Sequence, residues 1–186
     1  MSFDPAQVYQ PEADTYLLLR AAQEEVRAGD RVLEIGTGSG TIASSLEKAR
    51  CIVVTDINPH AAECAKRKGL AVVRADLFRG IRGVFDLILF NPPYLPTQPE
   101  ERIDDWLEYA LDGGSDGREV IGRFIAEAGE RLAPQGRILL LISSLTGLDP
   151  VTELISQRGF CSEIIIEDVV EDEVLYILRI CRGRSS

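Results

Sequence analysis

Histidine is nearly missing from this chain: His60 is the only one among 186 residues. With a single imidazole, a histidine-based zinc centre or a Ser-His-Asp relay lacks its parts. Cysteine is sparse too. Cys51, Cys64, Cys161 and Cys181 are scattered with no Cys-x-x-Cys pair, so neither a metal site nor a disulfide framework is expected. Basic residues fall short of acidic ones, 20 Lys and Arg against 30 Asp and Glu, which leaves a formal net charge of −10. A polyanion is gripped by clustered Lys and Arg that displace its counterions, so this balance disfavours nucleic acid as a partner. Long apolar runs are absent as well. The longest clean one is Ile138 to Ile142, and no basic patch followed by an apolar stretch stands near Met1. No membrane partner is expected, and the expected location is cytoplasmic.

What is present suffices for one substantial core: 45% of the residues are hydrophobic, and no linker, repeat or low-complexity tract interrupts them. A single domain over residues 1–186 is expected, with a lead and helix over 1–28 and the main body over 29–181. Pro11 suits a first helical position, with Leu17, Leu18, Ala21, Ala22 and Val26 forming the buried stripe of a helix reaching Arg27. Short apolar runs then alternate with amphipathic segments. Strands are predicted at Arg31–Ile35, Ile52–Thr55, Ala71–Arg74, Phe85–Phe90 and Arg137–Ile142. Helices are predicted at Thr41–Lys48, Pro59–Lys68, Gly117–Leu132 and Pro150–Gln157. This alternation is the mark of βαβ crossovers around a parallel sheet covered on both faces. Phe160–Ile166 and Val174–Ile180, separated only by an acidic turn, are too close for a crossover and predict a terminal antiparallel hairpin. The fold class is α/β: a mostly parallel, Rossmann-like sheet of seven strands with helices on both faces and that hairpin at its end.

Glu34-Ile35-Gly36-Thr37-Gly38-Ser39-Gly40 follows the first strand, where glycines let the backbone turn tightly and approach a ligand. A plain glycine turn would look the same in isolation, and the Gly-x-Gly-x-Gly spacing differs from the dinucleotide fingerprint. Two carboxylates add meaning. Asp56 ends the second strand, where it can accept both hydroxyls of a ribose, and Asp76 follows the third, where it can accept from an adenine amino group. With Glu34 they gather negative charge at one end of the sheet, and residues 35–42 contain no Lys or Arg. Phosphates would be repelled there. S-adenosylmethionine has none, and its sulfonium and ammonium outweigh its one carboxylate. The expected cofactor site comprises Glu34, Gly36, Thr37, Gly38, Gly40, Asp56 and Asp76, with Ile57 and Leu77 beside the two aspartates and Asn91 at its far side.

Asn91-Pro92-Pro93-Tyr94 directly follows the predicted strand Phe85–Phe90. Its prolines fix φ and remove two N–H donors, so the turn is stiff and rich in acceptors. The Asn91 side-chain oxygen and the Pro92 carbonyl can accept both hydrogens of a planar –NH2, while Tyr94 stacks behind it. An amide or aromatic amine nitrogen is a poor nucleophile because its lone pair is delocalised. Holding both hydrogens returns density to nitrogen as the methyl arrives, a stabilisation that grows toward the transition state. Asn91, Pro92 and Tyr94 are therefore the expected catalytic residues, and Asn91, Pro92, Pro93 and Tyr94 the expected substrate contacts.

The glycine loop, Thr55-Asp56-Ile57-Asn58-Pro59 and Phe85 through Tyr94 resemble class I methyltransferases of the HemK/PrmC family. Tyr9-Gln10-Pro11-Glu12-Ala13-Asp14-Thr15 is similar to that family's entry motif, which implies that Thr15 lies near the cofactor. Gly113-Gly114-Ser115-Asp116-Gly117-Arg118-Glu119-Val120 is similar to a stretch of the short archaeal and eukaryotic branch. The resemblance runs from about Tyr9 to Ile180, and bacterial members carry an additional helical domain for which this chain has no room. It implies methylation of the glutamine in the Gly-Gly-Gln loop of a peptide-chain release factor, and a small zinc-binding activator subunit as a partner. The residues by themselves also allow methylation of an adenine or guanine amino group in DNA or RNA, or a cofactor-binding subunit without turnover. Trp106, in the segment Glu100–Trp106, either touches substrate or anchors a short helix. His60 is expected to be exposed at a helix start, and Glu167-Asp168 with Glu171-Asp172-Glu173 to form a solvated acidic turn.

Overall fold

A computed structural model describes residues 3–98, 100 and 105–183. Seven strands form one sheet in the order β3-β2-β1-β4-β5-β7-β6. They are β1 (Arg31–Ile35), β2 (Cys51–Asp56), β3 (Ala71–Arg74), β4 (Phe85–Phe90), β5 (Leu132–Ser143), β6 (Phe160–Val170) and β7 (Glu173–Arg182). The first five pair in parallel, and β7 runs antiparallel to both β5 and β6. The α-helices are α1 (Ala13–Glu25), α2 (Pro59–Arg67), α3 (Glu119–Arg131) and α4 (Leu148–Gln157). None among the described residues is long and apolar enough to cross a membrane.

Each strand serves two cores because successive side chains point to opposite faces. Leu33 and Ile35, Ile88 and Phe90, and Ile138, Leu140 and Ile142 pack on one face against α3 and α4. Val32, Leu87 and Leu89, and Leu139 and Leu141 pack on the other against the α1 stripe of Leu17, Leu18, Ala21 and Ala22. At the opposite end of α1, buried Arg137 ties the helix to the sheet by donating to Asp30 at 2.7 Å, to the Glu25 backbone oxygen and to the Asp86 carbonyl at 3.0 Å. The clamp secures the sheet end remote from the loops that follow β1 and β4.

Four local expectations are corrected. The segment predicted as a helix over Thr41–Lys48 makes only a 3-10 turn, Ala43–Ser45. Side chains take backbone groups that an α-helix would pair: Ser45 Oγ donates to the Thr41 carbonyl while the Ser45 N–H turns to Ile42, and the Ala43 N–H is taken by Glu34. Pro11 precedes α1 rather than opening it, since Glu12 is the N-cap. His60 is buried, because the N-terminal segment folds over α2 and the Asp4 N–H donates to His60 Nδ1 at 3.0 Å. The hairpin strands run longer than predicted, leaving a tight turn at Glu171-Asp172 in which Glu171 takes a positive φ of 52°. Glu173 consequently belongs to β7 and is not part of a solvated turn.

Phe124 on α3 is fully buried, stacked on Phe78 at 5.3 Å and tilted against Phe90 at 4.7 Å between ring centroids. Phe124→Ala should lower the unfolding free energy by about 3–5 kcal/mol. Chemical denaturation checks this, and a loss under about 1 kcal/mol would show that the face collapses around the missing ring.

Candidate functional site

The parallel register aligns Ile35 with Phe90 and Ile35 with Thr55. The next residues along the chain, Gly36, Asp56 at the end of β2, and Asn91, therefore emerge side by side at the carboxyl end of the sheet. Strand order reverses direction there, since β2 and β3 lie to one side of β1 and β4 and β5 to the other. This is where open α/β sheets form their crevice. A cavity of about 430 Å³ occupies the position, lined by the glycine loop, Asp56, Ile57, Asp76, Leu77, Asn91 through Leu95, Tyr9, Asp14 and Thr15.

The glycine loop is drawn over the end of β2. Thr37 donates its N–H to the Thr55 carbonyl at 2.9 Å, and Gly38 donates to Asp56 Oδ2 at 2.8 Å. Gly36, Gly38 and Gly40 have φ of 62°, 53° and 76°, the left-handed region that other residues rarely adopt. At Gly40 a Cβ would also press on Leu70 Cδ1 at 3.0 Å. Glu34 lies beneath the loop and accepts from the Ala43 N–H at 2.9 Å. Burial pushes its carboxyl up to about 8, against the lowering effect of that bond.

Asp56 is 8% exposed. Besides the Gly38 bond, its Oδ1 accepts from the Asn58 N–H at 2.8 Å, so each oxygen keeps a further lone pair for a ligand. Burial raises this carboxyl to about 6. Asp76 is paired with Arg123 of α3 at 2.5 Å, a counter-ion that sequence order could not announce across 47 positions. Ile57 is exposed toward the cleft, and Leu77 is buried with a positive φ of 47°.

The loop after β4 is held from three sides. Asn91 Nδ2 donates to Asp14 Oδ2 at 2.9 Å, while Asn91 Oδ1 is enclosed and has no partner. Tyr94 donates its hydroxyl toward Glu173 Oε1 at 3.4 Å, and Ser143 Oγ bonds the other Glu173 oxygen. Burial, then the Glu173 charge, raises the Tyr94 pKa, so the phenol stays protonated at neutral pH. Leu95 and Thr97 pair with the segment at 111–114 through Leu95 N–H to the Leu111 carbonyl, Gly113 N–H to the Leu95 carbonyl and Thr97 N–H to the Gly114 carbonyl. Gly117 packs directly on the Tyr94 carbonyl with φ of 73°, where a Cβ has no space.

All but one of the residues expected from sequence line one cleft: Thr15, Glu34, Gly36, Thr37, Gly38, Asp56, Ile57, Asp76, Leu77, Asn91, Pro92, Pro93 and Tyr94. Gly40 sits one step behind, shaping the loop against α2. Trp106 also lines the cleft, tilted against Tyr109 at 5.4 Å between ring centroids, with its backbone N–H on Gln7 Oε1 at 3.3 Å. The neighbouring Glu101–Asp104, in the stretch considered for substrate contact, lie outside the described residues. Sequence reasoning gave no role to Asp14, Tyr9, Arg123 or Glu173, although Tyr9 and Asp14 stand in the entry motif. Asp14 left a second signal: it shares the buried stripe of α1 with Leu17, Leu18 and Ala21, where an acid is out of place without a partner.

The sequence pattern of the methyltransferase small domain matches residues 10–104. The chain is 41% identical to a provisionally named protein N5-glutamine methyltransferase of Methanocaldococcus jannaschii, over 95% of this chain and 92% of that one. It is 34% identical to the methyltransferase HEMK2 of Mus musculus, over 95% and 90%. In the E. cuniculi Mtq2-Trm112 complex, described as responsible for methylation of the translation termination factor eRF1, the matching chain superposes with a TM-score of 0.81. That match has 31% identity and covers 95% of this chain and 99% of the other.

Glu34 and Asp56 both have raised pKa values, so the folded state holds their protons more tightly than the unfolded chain does. Their stabilisation is complete below the ordinary values of 4.5 and 3.8 and is lost as pH rises through about 8 and about 6 respectively. Glu34→Gln retains an acceptor for Ala43 but cannot titrate. Its unfolding free energy should therefore fall less than that of the natural protein as pH rises from about 4.5 to about 8. Parallel stability–pH curves for the two would mean that Glu34 titrates normally.

Proposed function

The chain belongs to the methyltransferase small domain family, in the short archaeal and eukaryotic group of protein glutamine methyltransferases, and we propose that it methylates the glutamine side chain in the Gly-Gly-Gln loop of a peptide-chain release factor, using S-adenosylmethionine. The observation that carries this reading is Asn91 Oδ1, an enclosed acceptor without a donor on a residue that lines the cleft. A buried polar atom left unpaired is costly, and the –NH2 of a target amide would satisfy it.

The lining of the cleft suits the cofactor. Asp56 has lone pairs left for two ribose hydroxyls, and Asp76 has its second oxygen for an adenine amino group. Thr15, Thr37, Ile57, Leu77 and the backbone of the glycine loop enclose the remainder. Arg123 is already paired with Asp76, so no free cation on the loop invites a phosphate. When bound, S-adenosylmethionine supplies a methyl group already activated on sulfur.

The remaining chemistry falls to the chain itself. Asn91 Oδ1 and the Pro92 carbonyl accept the two amide hydrogens and turn the nitrogen lone pair toward the methyl carbon. Tyr94, anchored through Glu173, presents its ring to the amide plane. The sulfonium of the cofactor would supply the methyl group and keep the bonding pair, and the amide nitrogen held by Asn91 and Pro92 would shed one proton to solvent once methylated. No base is required beforehand. Leu95 through Asp116, several of whose residues line the cleft, supplies contacts for the substrate loop, and glycines before the glutamine let that loop enter. A small zinc-binding activator subunit is a fitting partner, because β3 forms an open sheet edge among the described residues and carries exposed Val73. A release factor as substrate supports a cytoplasmic location.

Incubation with labelled S-adenosylmethionine and an archaeal or eukaryotic type release factor should label that factor, with mass spectrometry locating one added methylene on the Gly-Gly-Gln glutamine. Asn91→Ala should reduce kcat by about 10²-fold or more while changing cofactor affinity by less than about threefold. Label that persists after the glutamine is replaced, or that enters nucleic acid more readily, would favour amino methylation of a base. No transfer to any acceptor would favour a cofactor-binding subunit.

A further inference from the structure

The Asn91 side chain can do its work in only one of two orientations. A carboxamide looks nearly the same when turned over, yet one orientation offers an acceptor to the target –NH2 and the other offers a second donor. Nothing in the Pro-Pro turn selects between them. Asp14 does. We infer that Asp14 is a positioning residue for methyl transfer, fixing the Asn91 carboxamide with its nitrogen turned inward and its oxygen toward the substrate nitrogen. This rests on the glutamine methylation reading above.

Every recorded partner of Asp14 donates to it. Oδ2 accepts from Asn91 Nδ2 at 2.9 Å and from the Tyr9 hydroxyl at 3.1 Å, while Oδ1 accepts from the Thr15 N–H at 2.5 Å and the Thr15 hydroxyl at 3.2 Å. Apart from Asn91, the Thr15 N–H can only donate, and the Thr15 and Tyr9 hydroxyls have protons to offer, so the group serves as an acceptor on both oxygens. Turning Asn91 over would therefore set its oxygen against a carboxylate oxygen, a repulsion inside a site where Asp14 is only 5% exposed. In the observed orientation Asn91 Oδ1 is enclosed and has no partner, on a residue that lines the cleft.

The carboxylate also acts through the amide. A negative charge behind the –NH2 polarises the conjugated group and makes its oxygen a stronger acceptor. The target nitrogen gains positive charge as it is methylated, so this strengthening is greatest in the transition state. Cofactor binding draws chiefly on Asp56 and the glycine loop, with Thr15, which Asp14 also bonds, one contributor among several. Loss of Asp14 should therefore reach kcat before it reaches cofactor affinity.

The test uses the full chain, with its activator subunit where assays require it. In Asp14→Asn the single remaining oxygen at position 14 is claimed by the Thr15 N–H, and an –NH2 then faces Asn91, favouring the turned-over carboxamide. kcat on a release factor should fall by about 100-fold or more, with cofactor Kd by calorimetry changed less than about threefold. The exchanged pair Asp14→Asn with Asn91→Asp restores an acceptor toward the substrate and a donor-to-carboxylate bond behind it. It should regain about tenfold or more over Asp14→Asn alone. Asn91→Asp alone opposes two carboxylates and should not show this gain. In the unmutated protein, NMR of a selectively asparagine-labelled sample should show an Asn91 side-chain proton protected from solvent exchange.

The inference is overturned if Asp14→Asn turns over like the natural protein. It is equally overturned if that variant loses kcat and cofactor affinity in proportion, if the exchanged pair is no better than the single change, or if the Asn91 protons exchange freely. Should the unmutated protein fail to label glutamine, the substrate reading falls instead, and the exchange measurement still decides the orientation of Asn91.

Discussion

The pairing of β1 with β4 is the constraint on which the site depends. Ile35 opposite Phe90 in parallel register sends the two strands out of the sheet at the same height, so the glycine loop and Asn91 begin as neighbours. A shift of one residue would turn every apolar side chain of β1 to the wrong face. The two packed cores therefore hold the register, and the register holds the cleft. Phe90 joins both roles: its ring packs on Phe124 below, and its edge lies where a Cβ on Gly36 would meet it at 3.5 Å.

Above that platform the site is built from elements distant in the chain. Asp14 from α1 reaches Asn91 across 77 positions, Glu173 from β7 reaches Tyr94 across 79, and Arg123 from α3 reaches Asp76 across 47. Each removes freedom from a side chain whose direction decides what it can bind. Electrostatics then sorts ligands. Buried Glu34 holds its proton near neutral pH, so the negative charge of the floor comes from Asp56, and the nearby cation is already committed to Asp76. A ligand with a positive centre and hydroxyl groups is favoured there, and one with phosphates is not.

Much of this was legible in the residues. β1 and β4 fall where their apolar runs predicted, because a buried parallel strand writes its length as a hydrophobic run bounded by turn formers, and β3 also falls where predicted although it is an exposed edge strand. Asp56 and Asn91 could be placed because each directly ends such a strand. The missing α-helix after Gly40 was not legible: Thr41–Lys48 has helical composition, and what cancels it is side-chain bonding by Ser45 and Glu34. His60 was misjudged for a similar reason, since its cover comes from Asp4 and Phe3, far away in sequence. Asp14 could have been noticed as a carboxylate on an apolar stripe, but its partner could not have been named.

The central claim is that Asn91 and Pro92 hold a glutamine amide against the cofactor end of this cleft. A crystal structure with S-adenosylhomocysteine and a Gly-Gly-Gln peptide tests it most directly. The glutamine side-chain nitrogen should lie within hydrogen-bonding distance of both Asn91 Oδ1 and the Pro92 carbonyl, with the Tyr94 ring against the amide plane and the cofactor sulfur on the open side. A peptide seated with its glutamine away from Asn91, or a cofactor whose ribose avoids Asp56, would contradict the account.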